Sequence, residues 1–135
     1  MNSKNVDILR HIIRYCDLIQ DALQHFEIDR AAFTRSFHYR SMLAMYILQI
    51  GELTQHLPED FKQEYPQAPW RDIKGMRNVF AHNYENSDPG ITWETITERI
   101  PELRETCLEI AIACGDSFGP DAIDDEEHDE YDLEQ

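Results

Sequence analysis

Apolar residues recur at intervals of three and four along most of the chain, which is the period of an amphipathic helix. Leu9, Ile12, Ile13, Cys16, Ile19, Leu23 and Phe26 form one such face, with Arg10, Arg14, Asp17, Asp21 and Gln24 mostly opposite. They predict a first helix over about 5–25, capped by Ser3 or Asn5. Asp29 is placed to cap a short helix through Ala31, Ala32 and Phe33. A second long helix is expected over about 38–56, with Met42, Met45, Tyr46, Gln49, Ile50 and Leu53 as its buried stripe. Gly51 falls inside it, where glycine costs about 1 kcal/mol against alanine. Close approach of a neighbouring helix would compensate.

Pro58, Glu59 and Asp60 open a short helical turn that ends before Pro66. Pro69 is expected as the first residue of a third long helix carrying Trp70, Ile73, Arg77 and Phe80. The run Asn86-Ser87-Asp88-Pro89-Gly90 is turn chemistry, so 83–90 reads as loop. Thr92 is then placed to cap a fourth helix, with Pro101 marking a restart or kink. Ile100, Leu103, Cys107, Ile110 and Ala111 continue its apolar face to about Cys114, and Gly115 ends it. The expected fold is all-α, an antiparallel bundle of four to five helices.

Composition agrees with helices: among 135 residues there are only 5 glycines and 6 prolines. The length fits one domain. Charge divides the chain unevenly. The formal net charge is −15, but the stretch 120–135 holds nine acidic residues and no Lys or Arg. Without it the remainder carries −6, so a local basic cleft is compatible with the total. The stretch is too charged to pack, which divides the chain into a helical domain over 1–118 and a disordered acidic tail over 119–135. No run approaches the roughly 18–20 apolar residues of a membrane span. The N-terminus lacks the basic-then-apolar order of a signal peptide. Cys16, Cys107 and Cys114 are odd in number and without a CxxC pair. They read as reduced thiols of a cytoplasmic protein without contact to a membrane.

The chemistry-bearing segment is Gly75-Met76-Arg77-Asn78-Val79-Phe80-Ala81-His82-Asn83-Tyr84. Histidine titrates near neutrality and moves protons. Arginine stays charged and presents a planar fork to phosphate oxygens. Together they suit RNA cleavage through the ribose 2′-OH. Residues five apart on an ideal helix point about 140° apart, so Arg77 and His82 diverge if the helix stays regular. Either His82 sits at a frayed end where the chain turns away, or two subunits present these helices across a two-fold axis. Arg77 and Tyr84, seven apart, would share a face of a continuing helix. Taken alone, the spacing is also what a surface ion pair and a helix-end histidine produce.

Glu52 stands on an otherwise apolar helix beside Gly51. A buried carboxylate needs a partner, so Glu52 is expected to face Arg77 or another site residue; the plain alternative is an exposed helix glutamate. Arg71, Lys74 and Arg99 are candidate sources of local positive potential, the first two as phosphate contacts. Trp70 and Trp93 read as core or interface aromatics. His11, His25, His38 and His56 lack metal-ligand spacing. No Gly-rich phosphate loop, Ser/His/Asp arrangement or nucleotidyltransferase signature occurs, and no metal or cofactor is expected.

The flanks make the segment more specific. Ile50-Gly51-Glu52, Tyr65-Pro66, Pro69-Trp70, Ile73-Lys74-Gly75-Met76-Arg77-Asn78 and His82-Asn83-Tyr84 occur in one order. The series resembles the HepT toxins of the HEPN superfamily, partners of minimal nucleotidyltransferase (MntA-type) antitoxins. It covers about residues 5–112. The resemblance implies a helical bundle, and a homodimer whose two Arg/His motifs meet in one cleft. It implies a metal-independent endoribonuclease with tRNA among known targets, acting as the toxin of a type VII-like toxin–antitoxin system. By that resemblance Arg77 would stabilise the phosphorane-like transition state. Asn78 would orient the site or the RNA, and His82 would act as general base or acid, leaving a 2′,3′-cyclic phosphate. Tyr84 would receive AMP from the cognate nucleotidyltransferase, which would neutralise and block the cleft. The acidic tail departs from this picture and is open to three readings: a handle for a partner, an RNA mimic that occludes the cleft, or a solvating tail. A reading of another class is a catalytically silent module of the same fold that docks a nucleotidyltransferase and only binds nucleotide or RNA.

Overall fold

The computed structural model describes residues 3–115. The acidic stretch 119–135 and the end of the expected 1–118 domain lie outside the described residues. Helices occur at α1 (Ser3–His25), α2 (Arg30–Arg35), α3 (Phe37–Gln55), α4 (Glu59–Glu64), α5 (Trp70–Asn83), α6 (Pro89–Glu94) and α7 (Ile100–Ala113). A 3-10 turn spans Tyr84–Asn86, and a π turn, Thr95–Arg99, joins α6 to α7. No strand occurs among the described residues. The fold is all-α, an antiparallel bundle in which α1 packs on α3 and α7, and α3 also packs on α5.

The face of α1 is buried from Ile8 to Ala22, including Leu9, Ile12, Ile13, Cys16 and Ile19. It stops short of Phe26, which is 46% exposed. The cause is the end of the helix. Glu27 adopts φ 52°, Ile28 N–H donates to the Leu23 carbonyl at 2.9 Å, and Glu27 N–H donates to that of Gln24 at 3.2 Å. This is a Schellman closure with glutamate where glycine is usual. It turns Phe26 outward and Ile28 inward. Asp29 caps α2 as expected, its Oδ1 accepting from Ala32 N–H at 2.8 Å.

Along α3 the buried positions are Leu43, Ala44, Ile47, Ile50, Gly51, Leu53 and Thr54. The expected stripe is therefore rotated: Ile50 and Leu53 are buried, Met42 and Tyr46 only flank the core, and Met45 is 56% exposed. Pro69 precedes α5 as its cap residue rather than starting it. Ile73, Met76 and Phe80 bury its inner face.

The fourth helix starts earlier than Thr92. Asp88 is its cap, accepting from Gly90 N–H at 2.8 Å, and Pro89 fills the first position, where a missing N–H is harmless. Thr92 is instead buried within the first turns. Pro101 does not stop the chain. Its ring would meet the Thr97 carbonyl of a regular helix; the π turn just before it lets Ile100 N–H reach back to the Thr95 carbonyl instead. The helix continues to Ala113, and Gly115 at φ 89° ends it, donating to the Ile112 carbonyl at 2.9 Å.

Candidate functional site

Where α3 meets α5, Gly51 lies directly against Arg77. A Cβ placed there would lie 2.4 Å from Arg77 Cβ and 2.5 Å from Cγ. Only a residue without a side chain lets the Arg77 stem cross α3 at this point. The next residue, Glu52, then meets the guanidinium. Its Oε2 accepts from Arg77 Nε at 2.8 Å and lies 2.6 Å from Nη2. Arg77 Nη1 donates to Asn78 Oδ1 at 3.3 Å. The Arg77 and Glu52 side chains are 23% and 37% exposed. The pair is thus oriented but open to solvent, and the guanidinium N–H groups not aimed at Glu52 or Asn78 are left for a phosphate oxygen. The expected pairing of Glu52 with Arg77 is what the structure holds.

His82 is exposed in the last turn of α5, and among the described residues its ring has no hydrogen-bond or ion-pair partner. The chain stays helical through His82 and leaves helical geometry only at Asn83, at φ −156°. His82 therefore does not turn back toward Arg77, which removes the frayed-end solution. What joins the two residues within one chain is Asn78. It touches Arg77, and lies four residues before His82 on the same face. Arg71 and Lys74 fall on that face too. Arg71, Lys74, Asn78 and His82 are spaced three, four and four apart, an arc of about 80° running about 16 Å along the axis. All four are exposed. Neither Arg71 nor Lys74 has an ion-pair partner among the described residues. Arg99 is different: it pairs with Asp72 at 3.3 Å and Glu102 at 3.1 Å, the latter holding its charge most firmly. It is not a spare source of positive potential.

Tyr84 does not share a face with Arg77, because the backbone breaks at Asn83. Its ring rests edge-on against Phe80 at 5.5 Å and beside Phe37 at 6.3 Å. Its hydroxyl is buried and without a hydrogen-bond partner. The Tyr84 carbonyl accepts from Ser87 N–H and Oγ, fixing the turn.

Two further features flank the helix. On one side, Gly75, Met76, Val79, Ile91 and Thr95, rimmed by Arg71, Asp72, Glu94 and Arg99, line a groove of about 480 Å³ in which Val79 and Ile91 are 42% and 56% exposed. On the other, a groove of about 790 Å³ runs between the end of α3, α4 and the start of α5. Trp70 borders it, its indole N–H donating to the Tyr65 carbonyl at 2.9 Å. Sequence reading missed this groove because it joins Gln55, Gln63 and Lys74 from three separate helices, and only Lys74 lies in a motif.

The remaining titratable clusters offer no chemistry. Burial pushes the Cys16 and Cys107 thiols well up, so both stay protonated and inert. Among the described residues no three His, Cys, Asp or Glu side chains converge as metal ligands would. No helix of the described residues is long and apolar enough to cross a membrane.

The chain is similar in sequence to known proteins. A family model described as Ribonuclease HepT-like matches residues 12–110. A protein of Caldanaerobacter subterraneus subsp. tengcongensis, named as a putative RNase, is 34% identical over 106 residues, covering 76% of this chain and 89% of its own length. A Thermococcus cleftensis protein named as a probable ribonuclease HepT is 29% identical, covering 77% and 93%. A Methanocaldococcus jannaschii protein named as a gamma-glutamylcyclotransferase and putative RNase is 32% identical; the match spans 79% of this chain but 48% of that protein. No solved structure matches the chain significantly.

Proposed function

Since the chain belongs to the HepT-like ribonuclease family, we propose that it is a metal-independent endoribonuclease, the toxin of a toxin–antitoxin pair, with Arg77 and His82 as its catalytic residues. One observation carries the reading: Glu52 holds the Arg77 guanidinium in place across the Gly51 contact, Asn78 touches it, and His82 stands exposed one turn further along the Asn78 face. His82 takes the proton of a ribose 2′-OH, whose oxygen bonds to the adjacent phosphorus. The bond from phosphorus to the 5′ oxygen breaks, and that oxygen leaves with a proton from an imidazolium. The products are a 2′,3′-cyclic phosphate and a 5′-OH. Arg77 neutralises the charge that builds on the non-bridging oxygens. A positioned proton donor or acceptor is worth about 10²–10⁴ in rate.

The divergence of Arg77 and His82 supports a homodimer with a composite cleft. A second copy seated over the Val79–Ile91 groove would cover exposed apolar surface and bring a second His82 close. Transfer RNA is the expected substrate class. A cognate nucleotidyltransferase would silence the enzyme by moving AMP from ATP to the Tyr84 hydroxyl, with pyrophosphate leaving. That hydroxyl is buried, so the ring must first leave Phe80 and Phe37. Having no internal hydrogen bond, it sacrifices none by moving into water.

The net charge of −15 favours a second reading, a silent module that docks the nucleotidyltransferase and only binds nucleotide or RNA. Labelled total tRNA, incubated in EDTA with unmodified protein, separates the two. Cleavage to cyclic phosphate ends by wild type, lost in Arg77→Ala and His82→Ala, is the expected outcome. Intact tRNA with folded, dimeric wild type would overturn the enzymatic reading in favour of the module.

A further inference from the structure

The larger groove has the chemistry of a nucleotide site. Its lining includes one aromatic ring, two amides and two uncommitted cations: Trp70, Gln55, Gln63, Arg71 and Lys74. Lys62 and Glu59 also line it but occupy each other, at 3.6 Å, and the Lys62 ammonium donates to the Thr54 carbonyl at 3.2 Å. The volume of about 790 Å³ falls in the range of ligand-sized clefts. The indole is held by its bond to the Tyr65 carbonyl, and so is a fixed surface for stacking. An aromatic ring takes any base, at about 5- to 150-fold in affinity per stacked base. Side-chain amides offer a donor and an acceptor together, the pattern that reads a base edge. Arg71 and Lys74 stand between this groove and His82 on the continuous outer face of α5.

We propose that the groove between α3, α4 and α5 is a base-reading subsite for single-stranded RNA. An unpaired base enters against Trp70 and is read by Gln55 and Gln63, and Arg71 and Lys74 hold the phosphates leading to His82. The subsite rests on the reading of the chain as an RNA enzyme and names what that enzyme selects. A duplex cannot use it, because paired bases are stacked on one another and their edges are occupied.

The test uses the full chain carrying His82→Ala, so that RNA is bound without being cut, and six-nucleotide A, C, G and U homopolymers as probes. Tryptophan fluorescence and anisotropy report binding. One homopolymer should bind about 5- to 150-fold tighter than the others, and Gln55→Ala or Gln63→Ala should level that preference. Arg71→Gln with Lys74→Gln should weaken all four. It should also make the plot of log K against log salt shallower by about 1.4, since each contact to a single strand contributes about 0.7. A merely structural role would leave that slope unchanged. Binding that keeps its base preference and salt slope in these variants overturns the subsite while leaving the ribonuclease reading intact. Failure to bind any homopolymer, with tRNA still cleaved by the wild type, overturns it as well. Failure of both removes the enzymatic reading on which it rests.

Discussion

Two glycines lie in long helices here, and alanine should act on them with opposite sign. By intrinsic propensity either substitution stabilises, by about 0.5–1 kcal/mol. At Gly75 an added Cβ meets nothing within 4 Å, so Gly75→Ala should realise that gain. At Gly51 the same atom would sit 2.4 Å from Arg77 Cβ and 2.5 Å from Cγ, against an ordinary contact of 3.4–4 Å. The obstacle is not the free end of a side chain. Arg77 Cβ is anchored to its backbone, so α3 and α5 must part by about 1 Å. Overpacking of this kind costs about 1–3 kcal/mol, and the rigid obstacle puts it in the upper half. Allowing for the propensity gain, Gly51→Ala should lose about 1–2 kcal/mol. The two variants should then differ by roughly 2–3 kcal/mol, or on the order of 10 °C in Tm for a domain of this size. Urea melts followed by circular dichroism measure it, with the m-value unchanged if the native state keeps its compactness. Arg77→Ala should not rescue Gly51→Ala, because the clashing Cβ remains; Arg77→Gly should. A Gly51→Ala protein as stable as Gly75→Ala would refute the close contact and the positioning argument built on it.

Glu27→Gly should stabilise the chain by about 1–2 kcal/mol, as its left-handed conformation suits glycine; an unchanged urea midpoint would count against that closure of α1. Tyr84→Phe should leave stability equal or slightly higher, since its buried hydroxyl has no partner; if Tyr84 is the site of the proposed modification, the variant should also fail to take label from ATP and a cognate nucleotidyltransferase that labels the wild type. The Asp17–Arg104 pair joins α1 to α7 at 2.6 Å but is 50% and 36% exposed. A double-mutant cycle on it should return less than about 1 kcal/mol. Native protein should react with a thiol reagent at Cys114 first, because Cys16 and Cys107 are buried and their thiols pushed up; equal reaction of all three before unfolding would show the core to be open.

What the sequence disclosed and what it hid have different physical sources. The face of α1 is polar on one side and apolar on the other, so its period marks what is buried. The α3 helix is apolar nearly all round, from Met42 to Leu53, and periodicity alone cannot choose among its faces. Only contact with both α1 and α5 selects Leu43, Ile47 and Ile50 over Met45. Gly51 and Glu52 were legible because each breaks that apolar helix, one by lacking a side chain and the other by carrying charge, and both are explained by Arg77. Asp88 was hidden inside a run that reads as turn, where cap and turn residues are the same types. The burial of the Tyr84 hydroxyl depends on where Asn83 leaves the helix and on Phe37 from another helix. Neither can be read from a local motif.

The Gly51 crossing has one more consequence. Because the Arg77 stem is itself part of the contact between α3 and α5, the position of its charge is not independent of the bundle's integrity. A copy whose α3 and α5 have separated, through heat, damage or incomplete folding, has no cation fixed at Glu52. On the proposed function, cleaving capacity should therefore vanish together with native packing rather than outlast it, so that misfolded copies of the chain would be harmless to the RNA around them.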